Sequence, residues 1–390
     1  MLQEYYALSL PEFGLMLGIG GISGCIGTFV IGILLTKREP LALLFPVLWG
    51  LVAGMGLAAL GWRYELMLFA VAVTGAFASA LAIMVPVILV KVYPQQHRRA
   101  LALQLAVSGF CGMLFPLVVE GLFKVCKVQP SIGFAYVFHI PLGCLCLVLA
   151  TITLLLGHKK DKIIAQIGML QTPRAPSSLS TGFKLFRSGF GGCTLLLWLL
   201  ILHSICDSSI GTWFPTVIDS GCFTGDGVPP GIILSAVSGT YLISRILLGL
   251  IPEEMGKDFG MFLPGILGGT VMLLGILSLN PLLLGGAYIL GAFLWSVEFP
   301  ILLATLAKEH PNFFGAAMAI NSIVTSFAML PIGLGIGKFG ELLGNGQMWM
   351  VLLPFACGFI CVGIGGGLWL FTKRADVRRL SAGIRPMNTP

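Results

Sequence analysis

The residues with chemical capability are few, and they sit in apolar company. Asp207 lies near the middle of residues 195–218, LLLWLLILHSICDSSIGTWFPTVI, a stretch long and apolar enough to cross a bilayer. Glu298 lies in WSVEFPILLATLAK, well inside the basic residue Lys308. A charged side chain at the centre of a membrane helix costs roughly 2.5–3.5 kcal/mol on insertion scales. Such groups face cavities and handle ions, protons or substrates. His203 precedes Asp207 by about one helical turn, so the two share a face. That spacing fits a proton-handling pair, and it equally fits an imidazole bonded to a neighbouring helix. Trp213, Trp295 and Phe299 offer ring faces to a substrate or to packing. Asn321, with Ser322 and Thr325 beyond it, offers hydrogen bonds to a solute or between helices.

Other chemistries are not expected. The ten cysteines include no CxxC pair and no spacing with histidine that suits zinc. There is no nucleotide loop and no nucleophile–base constellation. Neither metal nor cofactor is expected, and an enzyme is not the reading.

The elements that must hold these residues follow from composition. Of 390 residues, 57% are hydrophobic and 10% charged, against about 25% charged in soluble domains. This is an all-α, polytopic membrane protein. Apolar spans fall at 12–35, 42–61, 65–91, 100–123, 133–157, 192–218, 230–251, 259–279, 282–307, 313–337 and 347–372, giving about 11 transmembrane helices. Four parts result: a bundle over 1–157, a central loop over 158–190, a six-helix bundle over 191–372 and a tail over 373–390. Of the 23 Lys and Arg, only Arg63, Lys124, Lys127 and Lys338 fall on the side opposite the central loop. The positive-inside rule therefore expects a cytoplasmic loop and C-terminus, an external N-terminus, and residence in the cell membrane, or the inner membrane of a bacterium. The chain opens MLQEYYALSLPEF without a basic region, so no cleavable signal is expected.

The chain also repeats itself. Gly75-Ala76-Phe77 recurs as Gly291-Ala292-Phe293, and Tyr93-Pro94 as His310-Pro311. Leu114-Phe115-Pro116 is echoed by Met329-Leu330-Pro331, and Gly32-Ile33-Leu34 by Gly249-Leu250-Ile251. The offsets are near constant, and each match falls at the same place relative to a span. Two parallel halves with a site at their interface describe one class of secondary transporter.

Over nearly its whole length the chain resembles the major facilitator superfamily. GAFASALAIMVPVILVKVYPQQHRRALALQLAVSGFCGMLFPL is similar to that family's fourth helix, turn and fifth helix. GAFLWSVEFPILLATLAKEHPNFFGAAMAINSIVTSFAMLPIGLGIGKFG is similar to its tenth helix, turn and eleventh helix. Asp207-x5-Trp213-x-Pro215 resembles a pattern of the fucose/glucose–galactose permease branch. The resemblance implies two pseudo-symmetric bundles, and it assigns Asp207 and Glu298 to cavity-lining helices. It assigns gating turns to Lys37 and Arg38 in the first half and to Gly249, Glu253 and Glu254 in the second, with Arg245 beside Gly249. The turn at Gly32–Pro40 departs from the family by lacking its Asp, and Val71 stands about where many exporters carry an Arg.

The expected function is secondary active transport of a small solute by alternating access, a symport coupled to protons or sodium. The site set is Asp207, Glu298, His203, Trp213, Trp295 and Asn321. The alternative is a transporter-like membrane protein without transport activity, serving assembly or sensing. The nearly apolar span at 65–91 favours that alternative, and the two carboxylates favour transport. The repeat offset places the partner of 195–218 ahead of Met1, so the family's first helix is expected to be missing from this sequence.

Overall fold

A computed structural model describes residues 6, 8–38, 40–60, 63–93, 95–126, 139–158, 192–220, 229–252, 258–310 and 314–381. The described residues form helices and no strand. The first half holds α1 (Leu10–Lys37), α2 (Pro40–Ala59), α3 (Tyr64–Val92), α4 (His97–Cys126) and α5 (Ile140–His158). The second holds α6 (Gly192–Asp219), α7 (Pro230–Leu250), α8 (Leu263–Leu277), α9 (Pro281–Trp295), α10 (Glu298–Glu309), α11 (Phe314–Leu343) and α12 (Leu353–Ser381). Single 3₁₀ segments at Phe259–Met261 and Asn345–Leu352 precede α8 and α12.

Local signals set several helix starts. Ser9 caps α1 in a reciprocal capping box: the Glu12 carboxylate accepts from the Ser9 backbone at 2.8 Å, and the Ser9 hydroxyl accepts from the Glu12 backbone at 3.4 Å. Asn280 accepts from the backbones of Leu282 and Leu283 to start α9, and Pro281 fits the first turn, where its missing N–H costs nothing.

Among the described residues, nine helical stretches are long and apolar enough to cross a membrane. The 15-residue α8 is shorter, and the 30-residue α4 completes the expected set. The repeat is visible in the element bounds. Tyr64–Val92 and Pro281–Glu309 are each 29 residues long, and α4 and α11 are each 30. The span expected over 282–307 is the single span Pro281–Glu309, and within it the helix is interrupted at Ser296 and Val297, where α9 ends and α10 begins. Its first-half counterpart, α3, runs through without interruption.

The halves meet along two seams, α1 against α11 and α4 against α7. Small residues let the backbones approach closely there. A Cβ on Gly21 would lie 2.5 Å from the Ser326 carbonyl oxygen, and one on Gly109 would lie 3.1 Å from that of Ser238. One apolar core is shared by both halves, with Ile83, Met84 and Leu101 packed among Leu200, Leu302 and Leu306. Two further cores each belong to one half: Met16, Met67 and Ala70 in the first, and Trp213, Phe214, Tyr288 and Trp295 in the second.

Residues 159–190 of the central loop, Glu253, Glu254 and residues 382–390 lie outside the described residues, as does the side chain of Lys37. Arg38 is at the C-cap of α1. Gly249 is buried against Leu103 of α4, where a Cβ would meet Leu103 Cδ2 at 3.4 Å.

Candidate functional site

The second half builds two polar clusters at membrane depth, joined through an aromatic ring. The first centres on Glu298, the opening residue of α10. A carboxylate at a helix N-terminus is favoured by the unpaired backbone N–H groups there. Its Oε2 lies 3.1 Å from His203 Nδ1 of α6, and both side chains are buried. Oε1 has no side-chain hydrogen-bond partner among the described residues and lies against the backbone of Gly265, whose N–H is directed at the carboxylate. Gly265, in the first turn of α8, leaves room for this carboxylate: a Cβ there would fall 2.5 Å from Oε1 and 2.8 Å from the Phe359 carbonyl oxygen. The imidazole is flanked by Phe299 at 5.6 Å and Phe359 at 5.2 Å between ring centroids. The pair is therefore walled by apolar rings, in a setting that penalises a lone charge.

The second cluster centres on Asp207, one turn further along α6 and half-buried. Its Oδ1 accepts from the Tyr241 hydroxyl of α7 in a short hydrogen bond and from Trp295 Nε1 of α9 at 3.2 Å. Trp295 Nε1 also reaches the Tyr241 oxygen at 2.9 Å. Both of these bonds to Asp207 fall on one oxygen, and both donors are neutral. Trp295 stacks on Phe359 with ring centroids 4.1 Å apart, so Phe359 separates the two carboxylates' surroundings and touches both.

The clusters sort the sequence candidates. Asp207, Glu298, His203 and Trp295 are brought together. His203, however, serves Glu298 and not Asp207: the helix face the two share carries His203 towards α10, where the buried carboxylate supplies the partner. Trp213 is fully buried elsewhere, its ring edge-on to Phe13 of α1 at 6.3 Å. Asn321 is buried in α11, and its Oδ1 has no hydrogen-bond partner among the described residues. One residue beyond it, Ser322 pairs with Thr28 of α1 at 2.9 Å across the seam.

Sequence reading missed Tyr241, Ser244, Ser296, Gly265 and Phe359. Tyr241 had a signal: it lies one turn before Arg245 on the same helix. Arg245, placed beside Gly249 near the end of α7, is buried, with its guanidinium 4.6 Å from the Tyr241 ring centroid.

The model of the Major Facilitator Superfamily matches residues 1–333. Among solved structures, the chain is similar to a variant of the E. coli fucose:proton symporter FucP, at 14% identity and TM-score 0.64, covering 92% of each chain. It is similar to FucP in the outward conformation at 15% identity and TM-score 0.66, covering 94% of this chain and 92% of that one. It is also similar to the human organic anion transporter MFSD10 (TETRAN), at 14% identity and TM-score 0.64, covering 90% of this chain and 83% of that one. At such identities the likeness is one of fold. No match was found among curated protein sequences.

Proposed function

The chain belongs to the Major Facilitator Superfamily, a family of multi-pass membrane transporters of small molecules, and on that premise we propose proton-coupled solute transport by alternating access. The observation that carries the reading is the pair of carboxylates at membrane depth, each hydrogen-bonded by groups that carry no permanent charge. Glu298 and His203, sealed among aromatic rings, form the proton site. Burial makes an unpaired charge there costly, so gain and loss of a proton is the cheap event. Asp207 is the solute contact. Its Oδ1 is held by Tyr241 and Trp295, which leaves Oδ2 for a hydroxyl, amine or other donor on the solute. An assembly or sensing protein has no use for such groups at this depth.

Solute movement would follow rocking of the two halves about their seams. The halves share one apolar core and otherwise keep cores of their own, which suits two bodies moving against each other.

The test uses proteoliposomes with a trapped pH dye, pulsed with monosaccharides, organic anions and organic amines. At least one solute should change the internal pH of wild-type vesicles. Glu298→Gln should abolish that proton movement, and Asp207→Asn should raise the half-saturating solute concentration. Gradient-driven accumulation that survives intact in Glu298→Gln would remove proton coupling through this pair.

The orientation has its own check. With the N-terminus outside and residues 158–190 cytoplasmic, a cysteine placed at Ser178 in a Cys-depleted background should resist an impermeant thiol reagent in intact cells. Labelling before lysis would reverse the topology.

A further inference from the structure

Arg245 joins three parts of the molecule that must act together. Its guanidinium lies over the Tyr241 ring, and the Tyr241 hydroxyl donates to Asp207. Its Nε reaches the Ser296 carbonyl oxygen at 3.4 Å, at the break between α9 and α10, two residues before Glu298. Its Nη1 donates to the Leu105 carbonyl oxygen at 3.0 Å, and Leu105 lies in α4, in the other half. Ser244 reinforces the break through a short hydrogen bond to Ser296. A reciprocal contact closes the same seam further along. Arg98 of α4 donates to the carbonyl oxygens of Ile251, at 2.8 Å, and Pro252, at the C-terminal end of α7.

A buried guanidinium suits this junction. It is planar and can lie flat on a phenol ring while its edge nitrogens point at separate acceptors. Leu105 and Ser296 bond it through neutral carbonyl oxygens, so these contacts hold without a buried ion pair. What fixes the ring is the Tyr241–Asp207 bond, and a bond to a charged acceptor is stronger than one to a neutral acceptor.

We propose that Arg245 is a positioning residue that ties the state of Asp207 to closure of the α4–α7 seam. While Asp207 is free of solute, Tyr241 is held, its ring supports Arg245, and Arg245 clamps Leu105. When solute engages the Asp207 carboxylate, the hold on Tyr241 weakens and the clamp on the other half loosens. The inference rests on the reading of Asp207 as the solute contact.

The test reads the seam directly and needs no solute. A Cβ on Gly112 of α4 would lie 3.4 Å from the Ser238 Cβ of α7, close to disulfide distance. Gly112→Cys with Ser238→Cys, in an otherwise Cys-free full-length protein in lipid nanodiscs, is oxidised and its cross-linking rate measured. Asp207→Asn, which removes the charged acceptor, should slow cross-linking about tenfold, the scale of one hydrogen bond to a charged group. Arg245→Lys keeps the charge but loses the fork, so its seam should cross-link slowly from the start and Asp207→Asn should then add little. Tyr241→Phe keeps the ring but not the link to Asp207, and it too should make the seam deaf to Asp207→Asn. This second variant serves if Arg245→Lys does not fold.

An equal slowing by Asp207→Asn in the Arg245→Lys or Tyr241→Phe background would overturn the role of Arg245 while leaving Asp207 as a responsive site. No slowing with Arg245 and Tyr241 both intact would instead sink the reading of Asp207 on which the inference rests.

Discussion

The two halves are copies in outline and opposites in content. Along the repeat, Tyr241, Ser244 and Arg245 of the second half stand where the first half has Gly24, Gly27 and Thr28. The same pair of helices is therefore held together by different means. In the second half, α7 meets the chain at Ser296 through hydroxyl and guanidinium hydrogen bonds, and the helix there is broken. In the first half, glycines of α1 sit directly against an unbroken α3: a Cβ on Gly27 would lie 2.1 Å from the Ala76 carbonyl oxygen, and one on Gly24 would lie 2.5 Å from the Ser79 hydroxyl. Close backbone approach leaves no volume for side-chain chemistry. Separation by polar side chains creates a site and costs regularity.

Burial differs in the same sense. Of the most apolar stretch within Gly346–Lys373, 56% is buried, against 6% for its counterpart Ile140–His158. The cause is α6, which packs against α10, α11 and α12 and has no counterpart among the described helices of the first half. Within the first half lies an apolar cavity of about 380 Å³, lined by Met16, Met55, Met67, Val71 and Leu142. The chemistry thus belongs to the half that is filled.

The largest expected effect tests this difference at Gly27. Gly27→Ser installs the second half's residue where the first half has no room. Overpacking of this kind costs about 1–3 kcal/mol. Thermal unfolding of the purified protein should shift down by several degrees, and the α1–α3 contact should loosen. A Gly27→Ser protein as stable as wild type would show that the first half is no more tightly packed than the second. Gly286, where an added Cβ would meet nothing within 4 Å, supplies the control, since Gly286→Ala should be neutral or slightly stabilising.

Removing a polar contact from the second half should matter less. Ser244→Ala removes the hydroxyl bonded to Ser296 but leaves Arg245 at the Ser296 carbonyl. Loss of one such bond costs about 0.5–1.5 kcal/mol. A larger loss, comparable to that of Gly27→Ser, would mean that the break in the second half is held chiefly by this serine pair.

Much of this was legible in the sequence, and the illegible part has a common cause. The spans were readable because a bilayer demands some twenty apolar residues whatever the neighbours are. Asp207 and Glu298 were readable because charge is conspicuous in such spans. The break at Ser296 had a signal in Pro300, whose missing N–H cannot bond the Ser296 carbonyl one turn back, but the bonds that support it come from Ser244 and Arg245, a full helix pair earlier in the chain. The choice of His203 between Asp207 and Glu298 was hidden. Spacing along α6 fixes which residues share a face, but only the packing of α10 decides which acid meets the ring. Gly265 looked like one glycine among 52, and its role appears only against the Glu298 carboxylate.

The smallest expected effect lies at the turn beyond α10, where His310 stands at the position the first half fills with Tyr93. Burial holds the His310 imidazole below its usual range; Glu309 pulls it back up, and Lys373 pushes it down again. Lys373 in turn is paired with Glu309 and lies over the Trp369 ring. A histidine whose pKa is lowered by folding is neutral in the fold and more readily protonated when unfolded. Its contribution is therefore fully present above the unfolded pKa, about 6.5, and is lost as pH falls through that value towards the folded one. Thermal unfolding between about pH 7.5 and pH 5.5, a range that brackets this value, should accordingly show a small acid-side loss. His310→Gln, which cannot titrate, should reduce that loss. Tyr93→His, placing an imidazole at an exposed position, should not add a matching one. Identical acid-side losses in wild type and His310→Gln would clear this turn of any part in the pH response and leave it to groups elsewhere.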